Sequence, residues 1–151
     1  MIADYKFYHG AVLAELVTLR GGALSINGQK DDGRLSCYIL NDAVGMQIKH
    51  STNRLHPWQF TFTETNFAQL AALRRNYKEV FVVLVCRADG IVALTLEEVK
   101  RILAGGDSEQ AWIRVDRRKN ELYSISGCGA ELSSKRPHGV HRIIEALHTA
   151  G

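Results

Sequence analysis

The chain has 151 residues, 46% of them apolar and 23% charged, with a formal net charge of +3. That balance excludes global disorder and suits one domain spanning residues 1–151; its mild positive charge permits an acidic partner without demanding one. Cys37, Cys86 and Cys128 are far apart and odd in number, which argues against a disulfide framework or a zinc site, and the longest apolar run, Val80 to Cys86, is too short to span a bilayer. No membrane partner is expected, and a cytoplasmic location is the default expectation, since the first residues lack the apolar stretch of a signal peptide.

Tyr5 to Arg20 reads as a helix ending at Gly21-Gly22, a strong stop signal. Its wheel places Glu15 on one face with Tyr8, Val12 and Leu19. A carboxylate in an apolar stripe is costly unless paired or coordinated, so Glu15 is either a ligand or acid/base group, or an edge residue reaching water. A short strand is expected at Ala23 to Ile26, then a polar loop from Asn27 to Gly33. Arg34 to Leu40 and Val44 to His50 both alternate, and Asn41-Asp42 between them reads as a tight turn, so the pair is a predicted hairpin. On its second strand Met46 and Ile48 share one face, Gln47 and Lys49 the other. Taken alone, Gln47 and Lys49 describe a solvated outer face.

After a loop from Ser51 to Pro57, the alternation Trp58, Phe60, Phe62 predicts another strand with Trp58 in the core. A helix is predicted from Glu64 to Asn76. Val80 to Cys86 is apolar on both faces, the mark of a central strand, and Asp89-Gly90 turns it into a hairpin with Ile91 to Leu94. Thr95-Leu96-Glu97-Glu98 is a capping box opening a helix to about Ala104, before Gly105-Gly106. Ala111 to Val115 and Glu121 to Ser126 form a further predicted hairpin around Arg117-Arg118-Lys119-Asn120, and Val140 to Thr149 a last helix. The order is α-β-β-β-β-α-β-β-α-β-β-α. Hairpins outnumber crossovers, so the expected class is α+β (mixed α/β), a central, mostly antiparallel sheet flanked by helices.

A helix with an inward Glu, a hairpin ending in Gln47-Ile48-Lys49, then another strand and helix resembles the core of the PD-(D/E)xK nuclease superfamily, the restriction-endonuclease-like fold. The resemblance covers Tyr5 to Cys86 through a short motif. It implies a Mg²⁺-dependent domain that cuts or binds DNA, with Glu15, an Asp and Gln47 at the metal and Lys49 stabilising developing charge. The strand Arg34 to Leu40 has no Asp. Asp42 is taken for that role, with Asp31 and Asp32 as the other candidates. The cations after Lys49, His50 and Arg54, would contact DNA phosphates. The competing expectation is a non-catalytic binding or regulatory module that keeps the fold without the chemistry and self-associates as a homodimer through a sheet edge. The clusters Arg74-Arg75, Arg117-Arg118-Lys119 and Lys135-Arg136 read as solvated surface, and Gly127-Cys128-Gly129 as a glycine-rich turn.

Overall fold

The computed structural model describes residues 1–31, 34–104, 111–118 and 121–150. Their element order is α1 (Asp4–Arg20), β1 (Ile26–Asp31), β2 (Arg34–Leu40), β3 (Val44–Ser51), β4 (Trp58–Thr61), α2 (Glu64–Asn76), β5 (Glu79–Cys86), β6 (Gly90–Thr95), α3 (Leu96–Leu103), β7 (Trp112–Asp116), β8 (Ser124–Gly127) and α4 (His141–Ala150). The fold is mixed α+β, built on two sheets. The larger has the order β1-β2-β3-β5-β6 and the smaller β4-β7-β8. Within the larger sheet only β3 and β5 run parallel.

The inner strands of the large sheet are buried on both faces, and their alternation sorts the side chains between two cores. Tyr38, Met46, Ile48, Val83 and Val85 face α1 and α4. Cys37, Ile39, Val82 and Leu84 face α2, α3 and the small sheet. A strand with apolar residues at every position belongs between two covered faces, and β5 holds that place. The hairpin of β2 and β3 turns through Asn41 and Asp42, both at φ of 52°, the left-handed region that Asn and Asp tolerate better than most residues. Cys37 and Cys86 are buried as small hydrophobes, and Trp58 lies in the core with its indole N–H donating to the Asn53 carbonyl at 2.9 Å.

Four readings of the sequence are corrected. The polar run expected as a loop after Ile26 is strand β1, an edge strand whose polar side chains meet water on either side. Trp58 to Thr61 joins the small sheet, not the large one, beside β7. The buried stripe of α1 is His9, Val12 and Leu16, rotated from the face expected through Glu15. Finally, Arg136 and Arg117 are structural cations: Arg136 binds Glu98, and Arg117 pairs with Asp89 at 3.0 Å over the Tyr123 ring. The calls on Asp32, Gly105-Gly106, Lys119 and Asn120 lie outside the described residues.

Candidate functional site

The site begins where two strands part. β2 pairs with β3 only from Leu40↔Val44 to Cys37↔Gln47. Beyond Gln47, β3 continues against β5 as far as Ser51↔Cys86. On the side that β2 leaves, a cleft of about 640 Å³ opens. α1 contributes Tyr5 and His9 to its lining, β2 contributes Ser36, β3 Gln47 and Lys49, and α2 Asn66.

The N-terminus of α2 sets the polar geometry. Thr63 caps the helix: its hydroxyl accepts from the Asn66 N–H at 3.2 Å, and Asn66 Oδ1 accepts from the Thr63 N–H at 2.9 Å. The same Oδ1 accepts from Lys49 Nζ at 2.9 Å. Lys49 also lies over the Phe62 ring, 4.9 Å from its centroid. No carboxylate pairs with it among the described residues. Burial therefore disfavours its charge and lowers its pKa to about 8.

Gln47 is fully buried, at 0% exposure. Its Nε2 donates to the Asn66 carbonyl at 3.2 Å and to Gln69 Oε1 at 3.0 Å. The Asn66 carbonyl can only accept, which fixes the orientation of the amide. Oε1 is left without a partner. Buried polar atoms are nearly always bonded, and leaving one unpaired costs about 1–3 kcal/mol.

At the α1 wall, His9 Nδ1 lies 2.8 Å from the Tyr38 hydroxyl. Burial first, and the charge of His50 second, lower the His9 pKa to about 4, so the ring is neutral at physiological pH. His50 stacks on Tyr8 with centroids 4.4 Å apart and planes 9° from parallel, and burial lowers its pKa too.

Of the residues expected from the sequence, Gln47 and Lys49 share the cleft, and His50 also lines it. Glu15 does not. α1 packs on the Met46 and Ile48 face, whereas Gln47 reaches α2 through the opposite one. Glu15 also lies six residues beyond His9, about 9 Å along the helix, and is half-buried. Asp42 is exposed at the hairpin tip, in the turn before β3, and does not line the cleft. Asp31 ends β1 opposite Arg34. Arg54 is exposed in the loop after β3 and does not line the cleft.

Mg²⁺ takes hard oxygen ligands in near-octahedral geometry. Here Glu15, Asp42 and Gln47 stand apart, and Asp4 is the carboxylate residue among the described lining. No group of three or more His, Cys, Asp or Glu able to hold a metal occurs among the described residues. The donor set does not fit a Mg²⁺ centre. What the cleft offers is one ammonium, the Ser36 hydroxyl, which donates to Gln69 Oε1 at 3.2 Å, and a neutral imidazole; the unpartnered Gln47 oxygen is closed to solvent beneath them.

Sequence reasoning missed His9, Ser36, Asn66 and Gln69. Asn66 alone left a local signal, three residues after Thr63 at the start of a predicted helix. The others reach the site through contacts 22 to 33 residues apart in the chain, such as Gln47 to Gln69 and Ser36 to Gln69. No helix among the described residues is long and apolar enough to cross a membrane. Comparison of the chain with protein-family models, curated proteins and solved structures finds no match.

Proposed function

We propose that this chain is a non-catalytic nucleic-acid-binding domain whose β2/β3 cleft receives a phosphate of single-stranded or frayed DNA. The observation that carries this reading is Lys49, half-buried on one cleft wall without a carboxylate partner among the described residues, beside the buried Gln47 whose Oε1 has no hydrogen-bond partner. A half-buried ammonium with no carboxylate beside it attracts an anion that can desolvate with it, and the acceptor oxygens of a phosphate suit its N–H donors. Because Lys49 is recessed, the smooth backbone of a duplex reaches it less well than a protruding or unpaired strand. The donor set that fails to suit Mg²⁺ favours binding without cleavage.

The test is titration of a labelled single-stranded oligonucleotide across a salt series. Binding should weaken with salt, and Lys49→Met should remove one phosphate contact, reducing the slope of log K against log salt by about 0.7. Glu15→Gln and Asp42→Asn should leave affinity unchanged, and Mg²⁺ should produce no cleavage. Absence of binding at low salt, or affinity indifferent to Lys49→Met, would refute the reading.

A further inference from the structure

A second concavity lies on the other flank of α2, away from the cleft. It is a groove of about 550 Å³ between α2 and α3, walled by Phe67, Leu70 and Ala71 on one side and Leu96, Val99 and Leu103 on the other. Arg74 at the C-terminal end of α2 binds Glu97 at the N-terminal end of α3 at 2.8 Å, which joins those two helix ends. That arrangement polarises the groove. Phe67, Leu103 and Ala111 make one end apolar, and Phe67 remains 37% exposed there. Arg75 and Lys100, each within one helical turn of the Arg74–Glu97 pair, supply cations nearer the other. Arg74 is committed to Glu97 and to the Lys78 carbonyl, whereas Arg75 and Lys100 have no partner among the described residues.

We infer that this groove binds a medium-chain fatty acid, its carboxylate at Arg75 and Lys100 and its alkyl chain running toward Phe67 and Ala111. Charge complementarity selects the head group: two unpaired cations beside an apolar trough match an anionic amphiphile better than a neutral or cationic one. Size selects the tail. From Phe67 to Arg75 is eight helical residues, about 12 Å, the reach of a medium-chain acyl group. The volume falls within the range of small-molecule sites, about 300–1,000 Å³. A groove two helical turns long is too short for the roughly 800 Å² per partner that a stable protein interface buries.

Decanoate titrated into the full chain below its micelle concentration, followed by amide chemical shifts and calorimetry, decides the matter. Saturable binding is expected, with shifts in residues 67–75 and 96–104. Decanol should bind about tenfold more weakly, and the double variant Arg75→Glu with Lys100→Glu should cost decanoate a similar factor. Ala71→Trp, at an exposed helical position, should fill the groove and abolish binding of both ligands while the melting transition is retained. Lys49→Met should leave decanoate binding unchanged, which separates this site from the cleft. Equal affinity for decanol and decanoate, shifts mapping elsewhere, or no saturable binding would overturn the inference, as would tighter binding of an acidic helical peptide at the same residues.

Discussion

α2 and α3 begin in the same way and end up in opposite electrostatic states. Each opens with a threonine cap and a reciprocal third residue, Thr63 with Asn66 and Thr95 with Glu98. In each, that third residue also reaches a cation from elsewhere in the chain. Glu98 accepts from Arg136 and Arg142, and both of its oxygens are used. Burial alone would raise its pKa, but the Thr95 N–H and the two guanidinium groups outweigh burial and hold it low. Asn66 presents to Lys49 an amide oxygen with no charge to neutralise it. One N-terminus is a closed account of charge, locking α4 and the segment before it onto α3. The other leaves a cation uncompensated and a neighbouring acceptor free. A fold that can satisfy a buried charge with two arginines in one place has the means to do so in the other, and the difference is the ground on which a ligand is proposed for the open site.

The largest effect should come from breaking the closed site. Glu98→Ala strands two guanidinium groups and removes the acceptor of the Thr95 N–H in the capping box of α3, and should destabilise the protein by about 3–5 kcal/mol in denaturant titration. A loss under 1 kcal/mol would remove the contrast. The open site should behave in the reverse sense. Lys49 is held at about 8 against an ordinary 10.5, so the unfolded chain binds more protons between those values and stability rises with pH across that window. Below pH 8 the charge costs up to about 3 kcal/mol. Lys49→Met should therefore stabilise the fold at neutral pH, with the gain shrinking to nothing above pH 10.5.

A smaller effect belongs to His9. Its pKa is about 4 when folded and 6.5 when unfolded, so its stabilising neutral form is fully present above pH 6.5 and its contribution is lost as pH falls through 4. Because the cleft admits water beside the ring, the loss is discounted to about 1–2 kcal/mol. His9→Gln should flatten the acid limb of a stability–pH curve. The smallest effect is expected for Gln47→Met. The amide makes two hydrogen bonds and wastes its oxygen, so replacing it should change stability by under about 1 kcal/mol while weakening ligand binding.

The order and kind of the elements were readable because the strong signals are local. Val80 to Cys86, the Asn41-Asp42 turn and the Thr95 capping box each depend on neighbouring residues alone. β1 was not readable. As an edge strand it needs no apolar face, and at Gly28 within it an added Cβ would come within 2.6 Å of Leu35 Cδ1, so the side chain of Leu35 would have to shift. α1 was assigned correctly as a helix but turned wrongly. Ala11, Leu13, Ala14 and Val17 spread apolar surface around it, so packing against β3 and α4, and not its own periodicity, chooses the buried stripe. That rotation is why Glu15 drew attention and His9 did not. Gln47 and Lys49 were picked out as a pair on one strand face, and they do share the cleft. What surrounds them is tertiary. Gln69, Asn66 and Ser36 meet there only after α2 has docked and β2 has turned aside.

The parting of β2 from β3 also divides one strand into two kinetic classes. Val44 to Gln47 is paired on both sides, whereas Ile48 to Ser51 is paired only with β5. Opening the first stretch means disrupting the middle of the sheet, so its amides should exchange with solvent only in the rarest global unfolding events. Ile48 to Ser51 needs no second strand to move. Its amides should exchange through smaller, more frequent openings, and a ligand seated across the gap should slow them toward the rate of the first four.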